Sequence, residues 1–412
     1  MSDSANSNTM QSRSNIFRIL ASLIVPMLFL GIVFFADFSM QKQFLTLFSN
    51  ANAQSIFQGL YWGINGLVLF ALIYTMVSVQ RNKGERTPLS NFLIGFAFSV
   101  ILCKILLLPF LLFHSIAGFF TSIPIFLYAG GGLIGLLFLS MMHGVTAGKY
   151  NYAVSNHTLH FEDLPAAFDG FKIAQITDIH SGSFDSKKSV EKGVDLLNEQ
   201  DADIIVFTGD LVNVNYDEIK PYQAIFSKLK APSGVYSVLG NHDYSHLIRA
   251  EIPKNNYLPF FREEHRKTGF QLLANEHVYL EKNGERIALC GVENWGDPPF
   301  PQLGDLNRTL QNSKQDDFRV LLSHDPSHWK AKILPHEAKF HLTLSGHTHA
   351  MQFAIDFLGI KWSPVQYKYK EWMGMYEQAN QYLYVNRGFG FIGFPGRVGT
   401  PPEISVFELK KK

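Results

Sequence analysis

The chain has 412 residues, enough for two or three domains, and its formal net charge is +1. A charge this small gives no strong electrostatic footprint for nucleic acid, so no nucleic-acid partner is expected. The mean hydropathy of +0.03 averages two unlike parts, because residues 1–150 are dense in Leu, Ile, Phe and Gly and poor in charge. The two cysteines, Cys103 and Cys290, provide neither a disulfide framework nor a cysteine-based zinc site.

Residues 1–150 contain four apolar stretches, at about 19–36, 56–79, 92–112 and 123–142. A helix needs roughly 20 apolar residues to cross the hydrocarbon core of a bilayer, and each stretch is near that length. A cleaved signal peptide would explain only the first stretch, which lacks a small-residue cleavage site at its end. We therefore predict an all-α transmembrane region of four helices.

The charges that flank these stretches are asymmetric. One set of flanks contains Arg13, Arg18, Arg81, Lys83, Arg86 and Lys149. The other two loops contain only Lys42 among Lys and Arg, so we expect a multi-pass protein of the inner or plasma membrane with its C-terminal domain in the cytoplasm. Lys104 lies inside the third stretch, where a charge is expensive; it could snorkel, pair or line a polar cavity.

From Phe171 onward, short apolar runs alternate with polar, helix-like segments. The runs are FKIAQIT, ADIIVFT, GVYSVLG, RIALCGV, FRVLLS, FHLTLS, QYLYVN and EISVFEL. Each is short and rich in β-branched or aromatic residues, as strands are. Helices are expected at about 186–200 and 217–230. This alternation predicts an α/β layered domain over residues 151–412.

Five of these runs are followed directly by Asp, Asn or His. The segments are Asp178-Ile179-His180, Gly209-Asp210, Gly240-Asn241-His242-Asp243, His324-Asp325 and Gly346-His347-Thr348-His349. The carboxyl ends of strands are the edge of an α/β sheet where ligand sites form. Carboxylate oxygen and imidazole nitrogen suit Mn, Fe or Zn ions, and no thiolate is offered. Each motif alone is weak, but five in this order, each at a strand end, predict a metal site.

The order D-x-H, G-D, G-N-H-D, H and G-H-x-H resembles the calcineurin-like metallophosphoesterase superfamily over about residues 165–412. The tail NRGFGFIGFPGRVGTPPEISVFEL also resembles the membrane-associated bacterial branch, which includes YkuE-like enzymes and UDP-diacylglucosamine pyrophosphatases. The resemblance implies an α/β fold, a four-layer αββα sandwich, with two divalent metal ions as cofactors, Mn, Fe or Zn. It assigns no role to the N-terminal helices.

Carried over position by position, the resemblance implies seven metal ligands. They are Asp178, His180 and His349 for one metal, Asn241, His324 and His347 for the other, and Asp210 as the bridge between them. His242 would stand outside the ligand set, near the leaving group. Every metal-binding position of the pattern holds the expected residue.

Two divalent ions roughly 3.5–4 Å apart can share a hydroxide, which would attack phosphorus in line. His242 is the predicted general acid, because an imidazole titrates near neutrality and can protonate the leaving oxygen; a structural role beside the ligands is the alternative. Asp243 would either orient His242 or cap a following helix.

Five further residues are weaker candidates. Asn213, Asn294 and Trp295 could border the pocket, and Arg387 and Arg397 could contact phosphate. An ordinary loop or surface role is the alternative for each of them.

Two segments, 244–270 and 350–376, mix aromatic residues with cations. The first includes Tyr257, Leu258, Phe260, Phe261, Arg262, Arg266 and Lys267. The second includes Phe353, Phe357, Trp362, Trp372, Lys361, Lys368 and Lys370. Either segment could pack on the sandwich, or it could touch membrane lipid with aromatic side chains at the interface and cations near anionic head groups.

The combined features predict a membrane-anchored phosphohydrolase with two metals, manganese among the candidates, that cleaves a phosphodiester or pyrophosphate bond. Its partners would be the membrane and a phosphorylated small molecule or lipid, and a lipid-linked substrate suits the anchor. One alternative is a phosphodiesterase for soluble molecules with the helices as a tether. Others are a non-catalytic membrane sensor and a small transporter or channel with an attached domain.

Overall fold

The structure, a computed structural model, describes residues 34–81, 86–119, 123–245 and 256–412. The chain divides into two compact units. The first contains Met1–Phe70 and Ala97–Leu139, and the second contains Ala71–Phe96 and Ser140–Lys412. The predicted domain boundary near residue 150 stays a prediction.

The described N-terminal part is helical. Its helices are α1 (residues 34–45), α2 (Ala51–Arg81), α3 (Pro88–Ala117) and α4 (Ile125–Thr146). Within the described residues, α2, α3 and α4 are long and apolar enough to cross a membrane. Three of the four predicted apolar stretches are therefore helices in the structure, and α2 and α3 extend beyond the predicted stretches at both ends. Most of the predicted first span, 19–36, lies outside the described residues.

Lys104 takes part in a polar cluster inside the first unit. Its Nζ lies 2.5 Å from Asp37 Oδ1 and 2.5 Å from Asn65 Oδ1. The hydroxyl of Tyr61 donates to the same Asp37 carboxylate. Of the readings left open for Lys104, pairing is the one observed; its partner was missed because the predicted first span ended at residue 36, one position before it.

The second unit contains two sheets and a separate hairpin. The strands of the first sheet are β1 (Ala153–Phe161), β2 (Phe171–Ile176), β3 (Ile204–Phe207), β4 (Val235–Ser237), β5 (Gln271–Leu272) and β14 (Glu403–Lys411). Those of the second are β6 (Glu276–Lys282), β7 (Glu285–Gly291), β8 (Arg319–Leu322), β9 (Leu342–Ser345), β12 (Gly374–Gln378) and β13 (Gln381–Val385). The hairpin pairs β10 (Ile355–Phe357) with β11 (Ile360–Trp362).

Each sheet has six strands, in the orders β1-β14-β2-β3-β4-β5 and β12-β13-β9-β8-β7-β6. Three neighbouring strands of each sheet are parallel, β2-β3-β4 in the first and β7-β8-β9 in the second. Their carboxyl ends therefore lie at one edge of each sheet. All eight predicted runs are strands. The strands β1, β5, β6 and β12 and the hairpin were not predicted, because their mixed polarity carries little periodic signal.

The core lies between and outside the two sheets. Inward side chains of both sheets, including Ile173 and Val320, share one buried cluster. The opposite face of the first sheet packs on helix α5 (Lys187–Asn198) and helix α6 (Leu258–Lys267). The outer face of the second sheet packs on the helical turn Trp329–Ile333. Strands with both faces covered consist of continuous apolar runs, as predicted from the sequence. Helical segments cover the outer faces of two packed sheets, so the αββα fold class is confirmed.

The expected helix at 217–230 is shorter and irregular. A 3-10 helix spans Tyr216–Tyr222, and a single α-helical turn follows at Gln223–Phe226. Pro221 lies inside the 3-10 helix, one position before its end, and a proline lacks the amide hydrogen that a continuous α-helix requires.

Candidate active site

The predicted ligands all follow the carboxyl ends of central strands. Asp178 and His180 follow β2, Asp210 follows β3 and Asn241 follows β4 in the first sheet. His324 follows β8, and His347 and His349 follow β9 in the second. Since these strands are parallel within each sheet, the loops of both sheets approach one another at a common edge.

One group of side chains consists of Asp178, His180 and His349. Their ligand atoms lie within 4.8 Å of one another, and all three side chains are buried. His349 Nε2 is 3.1 Å from Asp178 Oδ1, and the rings of His349 and His180 stack at 4.9 Å. This is a set of one carboxylate and two imidazoles that could hold a metal ion.

A second group consists of Asp210, His324 and His347, with the amide of Asn241 among them. Asn241 Oδ1 is 2.8 Å from His347 Nδ1 and 3.2 Å from His324 Nε2. His324 Nε2 is 3.3 Å from Asp210 Oδ2. Two oxygens and two nitrogens therefore converge here.

Asp210 lies between the two groups. Its Oδ2 is 3.5 Å from His180 Nε2 in the first group and 3.3 Å from His324 Nε2 in the second. Its other oxygen, Oδ1, accepts the backbone amide of His242 at 2.8 Å. One carboxylate oxygen is thus shared by both sets of imidazoles.

The loops that carry these groups have an unusual backbone. Asp178, His180, Asp210, His347 and His349 all have positive φ, between 46° and 71°. Such conformations are uncommon for residues with a side chain and cluster at functional sites. Gly209 has φ +99°, and a Cβ there would lie 2.6 Å from the amide nitrogen of Gly240. The two loops therefore touch where only glycine fits.

Comparison with known proteins identifies the family. The family described as "Calcineurin-like phosphoesterase" matches residues 171–351. The Bacillus subtilis protein named "Uncharacterized metallophosphoesterase YkuE" is 31% identical over 296 residues, which cover 66% of this chain and 96% of that protein. This chain belongs to the calcineurin-like phosphoesterase family.

A second family match covers the N-terminal region, and two further relatives match about three fifths of the chain. The family "Probable Calcineurin-like phosphoesterase, transmembrane domain" matches residues 6–149. An uncharacterized metallophosphoesterase of Helicobacter pylori is 30% identical over 58% of this chain and 60% of its own length. The Danio rerio "Transmembrane protein with metallophosphoesterase domain" is 27% identical over 61% of this chain, and the match spans 55% of its length. The family prediction is confirmed, and the chain is a membrane-associated metallophosphoesterase.

Burial and charge set the protonation of the phosphoesterase cluster. Burial raises the pKa of Asp178, but the imidazole of His349 outweighs it and holds that pKa below its usual range. Burial lowers the pKa of His180 to about 3. Burial also lowers the pKa of His324, but the carboxylate of Asp210 outweighs it and raises it to about 10. The carboxylates of Asp178 and Asp210 are therefore ionised. The proton on His324 supplies positive charge beside them, as a bound cation would.

The cluster fits the divalent metals that this family uses. His349 Nε2 is buried and lies 3.1 Å from Asp178 Oδ1, but within the described part of the chain it makes no hydrogen bond of good geometry. The outer atoms of two other rings are held in place, and the first is His324, whose Nδ1 donates to Thr208 O at 2.8 Å. His347 Nε2 bonds the hydroxyl of Tyr369 at 2.7 Å. Such outer contacts fix which ring nitrogen faces a metal.

His242 lies beside the cluster rather than in it. Its Nδ1 donates to the backbone oxygen of Asn213 at 2.8 Å, and its ring meets His180 edge-on at 5.0 Å. Asn213 in turn donates from Nδ2 to Ser183 Oγ at 3.0 Å. Because a carbonyl only accepts, Nδ1 carries a hydrogen and Nε2 is the atom left for proton exchange.

Asp243 has a role that neither of its expected readings described. Its carboxylate accepts the backbone amides of Asp210 at 3.0 Å, Leu211 at 3.0 Å and Gly240 at 2.8 Å. It therefore ties the loop after β3 to the loop after β4. Burial and the nearby Asp210 charge raise the pKa of Asp243 to about 7.

The two arginine candidates are already engaged. Arg387 Nε pairs with Glu403 at 2.9 Å, and this carboxylate also accepts the Arg387 amide. Arg397 is buried, donates to the backbone oxygen of Gly388 at 3.1 Å and lies 3.3 Å from His349 Nδ1. Arg387 thus serves a structural ion pair, and Arg397 contacts a candidate ligand ring rather than open space.

The region around His347 contains contacts that sequence reasoning missed. The ring of Phe300 meets His347 edge-on at 4.9 Å, and Lys368 Nζ lies 4.9 Å from the Phe300 ring. Trp295 stacks on His328 at 5.0 Å, and Asn294 donates to Pro301 O. Phe300 and Tyr369 follow no strand-end motif, so only the folded chain reveals them.

Proposed function

We propose that this chain is a dinuclear-metal phosphohydrolase that cleaves a phosphodiester or pyrophosphate bond of a lipid-linked substrate. The observation that carries the proposal is the position of Asp210 Oδ2, at 3.5 Å from His180 Nε2 and 3.3 Å from His324 Nε2. A carboxylate oxygen shared by two imidazole groups is suited to two cations held side by side.

The proposed ligand assignment follows the two groups. Asp178, His180 and His349 would hold one cation, Asn241, His324 and His347 the other, and Asp210 both. When bound, two divalent cations activate water and neutralise charge on the phosphoryl oxygens. His324 must release its proton before it can serve as a ligand, so binding at the second group would be coupled to proton release.

His242 is the proposed general acid. The hydrogen bond from Nδ1 to Asn213 O fixes the ring, and Nε2 would give its proton to the leaving oxygen. A leaving group that is already stable as an anion needs no such proton. The role therefore predicts that the importance of His242 depends on the leaving group.

The proposed substrate class follows from the membrane region. Three described helices are long and apolar enough to span a bilayer, and a site carried on such an anchor meets lipids at high local concentration. The flanking charges favour a cytoplasmic site, with Arg81 and Lys149 on that side. Reporter fusions after Lys149 test this orientation, and a fusion active only outside the membrane contradicts it.

The function is tested with full-length protein reconstituted with Mn in vesicles. The panel contains a phosphomonoester, a soluble and a lipid-linked phosphodiester, and a nucleotide–lipid pyrophosphate. We expect the diester or the pyrophosphate to be hydrolysed fastest, and Asp210→Asn to lower turnover of every substrate by on the order of a thousand-fold or more. Preference for the monoester contradicts the proposed bond class, and equal rates on soluble and lipid-linked diesters contradict the lipid substrate.

A further inference from the structure

The β10–β11 hairpin has one apolar face. Directly opposed residues of an antiparallel pair share a face, and neighbours along each strand alternate. The register pairs Ile355 with Trp362 and Phe357 with Ile360, so these four side chains lie on the same face. The opposed pair Asp356 and Lys361 lies on the other face.

The apolar face is open to solvent in the described structure. Ile355 is 45% exposed, Phe357 68%, Ile360 62% and Leu358, at the turn, 85%. Neighbouring large apolar side chains at this exposure mark a protein or membrane contact. The hairpin begins six residues after His349 of the metal cluster.

The polar face of the hairpin is fixed to the body of the second unit. Lys361 Nζ donates to Met373 O at 2.5 Å and lies 5.3 Å from the Trp372 ring. Ser363 Oγ, just after β11, donates to Ala350 O at 2.9 Å. These contacts hold the hairpin with its apolar face turned away from the unit. Trp372 itself is buried and takes no part in that face.

The other segment considered for lipid contact behaves differently. Helix α6 buries Phe261 in the core beside the first sheet. The part of 244–270 between 246 and 255 lies outside the described residues. The described part of that segment is therefore a packed helix, and the apolar hairpin is the stronger candidate.

The base of the hairpin is joined to the end of a membrane helix within the same unit. The amide of Ala354 donates to Val398 O at 3.0 Å, and the amide of Arg397 donates to Gly144 O at 3.3 Å. A Cβ on Gly144 would lie 2.4 Å from Arg397 O, so the last turns of α4 touch this loop backbone to backbone. The end of a membrane-spanning helix marks the membrane surface, which places the hairpin base beside that surface.

Residues after the hairpin suit the same location. Tyr367, Lys368 and Lys370 are exposed, and tyrosine with lysine is the composition found where a protein meets lipid head groups. Tyr369, within this run, bonds His347 Nε2 at 2.7 Å. The surface and the candidate metal cluster are therefore connected through one short segment.

We propose that the β10–β11 hairpin inserts its apolar face into the interfacial layer of the membrane that holds α2, α3 and α4. Lysines that follow it contact anionic head groups, and the lipid-linked phosphate reaches the metal cluster along this surface. Insertion rests on membrane association alone, whereas delivery of substrate rests on the proposed function.

Insertion is tested with full-length protein in vesicles that contain spin-labelled lipids. A fluorophore is attached to Leu358→Cys after both native cysteines are replaced by alanine. The matched control is Ala379→Cys, because both residues begin an exposed two-residue hairpin turn, with φ of 51° and 52°. We expect lipid quenching at position 358 to exceed that at 379 several-fold.

Equal, weak quenching at both positions overturns insertion. Shielding at position 358 that rises with protein concentration but shows no lipid quenching also overturns it, in favour of contact with a second copy of the chain. Either result is independent of the catalytic assay, so it leaves the proposed function standing.

Delivery of substrate is tested with Phe357→Ser/Leu358→Ser. We expect several-fold slower hydrolysis of a nucleotide–lipid pyrophosphate in vesicles and an unchanged rate on a soluble p-nitrophenyl ester. Wild-type rates on both substrates overturn delivery. If the unaltered protein hydrolyses no diester or anhydride, the proposed function fails, and the quenching result still decides insertion.

Discussion

Two polar clusters of this molecule differ in whether the chain itself supplies partners for their charged groups. In the first unit, Lys104 has two oxygens at 2.5 Å, from Asp37 and Asn65, and the Tyr61 hydroxyl donates to the same carboxylate. One cation, one anion and two neutral groups satisfy each other. In the second unit, buried carboxylates and imidazoles face a shared space, and His349 Nε2 has no hydrogen bond among the described residues.

The difference separates a structural cluster from a functional one. A charge in an apolar region needs a partner, and in the first unit the chain supplies it. In the metal cluster the chain supplies an excess of acceptors, and the remaining positive charge must come from outside or from a proton on His324. Changes to the first cluster should therefore alter stability, and changes to the second should alter metal binding and turnover.

The largest effect is expected for Asp210→Asn. Loss of the shared carboxylate removes charge from both groups, and we expect activity to fall on the order of a thousand-fold or more, because a metal centre contributes several kcal/mol. Metal content and turnover are measured together. Asp203→Asn is the matched control, since Asp203 precedes β3 as Asp210 follows it and accepts the Lys172 amide. Retained metal and turnover in Asp210→Asn contradict the bridging role.

The next effect is expected for Lys104→Met. Breaking this half-buried pair leaves Asp37 without its cation, which should lower the free energy of unfolding by up to about 3 kcal/mol. Lys104→Met with Asp37→Leu removes both charges and should recover most of that loss. Unfolding is followed in detergent, with metal content as the control for an intact second unit. A double variant no more stable than the single one shows that the pair is not the cause.

A smaller effect is expected for His242→Ala. The variant should keep its metals but lose roughly 100-fold or more on alkyl esters, because general acid catalysis contributes about that much. The loss on p-nitrophenyl esters should be much smaller. His277→Ala is the control, since His277 Nδ1 also bonds a backbone oxygen, that of Thr309, at 2.7 Å. Equal losses on both esters remove the acid role and leave a structural one.

The metal cluster was predictable because its signal is local. Each ligand pair follows an apolar strand within a few residues, as Asp178 and His180 follow β2, and the family pattern fixes their order. The strands themselves were predictable for the same reason, since β3, β8 and β9 are buried on both faces. A short apolar run in the sequence therefore predicts a strand because burial of both faces of that strand requires apolar residues at every position.

Contacts between distant segments were not predictable. Asp37 and Lys104 are 67 positions apart, and nothing near Asp37 marks it as the partner. Tyr369 bonds His347 from a segment for which the sequence predicted either packing on the sandwich or contact with lipid, but no contact with a ligand. The Asp243 carboxylate binds amides of a loop more than 30 positions away. Each depends on how the elements pack, which no local pattern records.

A buried histidine outside the metal cluster provides a third case, a polar group with no charged partner among the described residues. His265 is buried in the core beside α6, and its Nδ1 lies 2.8 Å from Ser237 Oγ. Burial lowers the pKa of His265 from 6.5 to about 3, so it stays neutral with one weak partner and no compensating charge. The unfolded chain then binds a proton below pH 6.5 that the folded chain refuses until about pH 3.

The sign of the pH dependence follows from this difference. A depressed pKa gives stability that is complete above pH 6.5 and is lost as the pH falls toward 3, with a slope approaching about 1.4 kcal/mol per pH unit for one histidine. We expect His265→Gln to reduce the slope of unfolding free energy against pH between 6.5 and 5 by about that amount, whatever its absolute stability. His160→Gln, at an exposed position on β1, is the control for the loss of a histidine at the surface. Parallel curves of unfolding free energy against pH for the unaltered protein and His265→Gln would mean that the folded core accepts the proton. His265 would then not be a buried group that stays neutral for want of a charged partner.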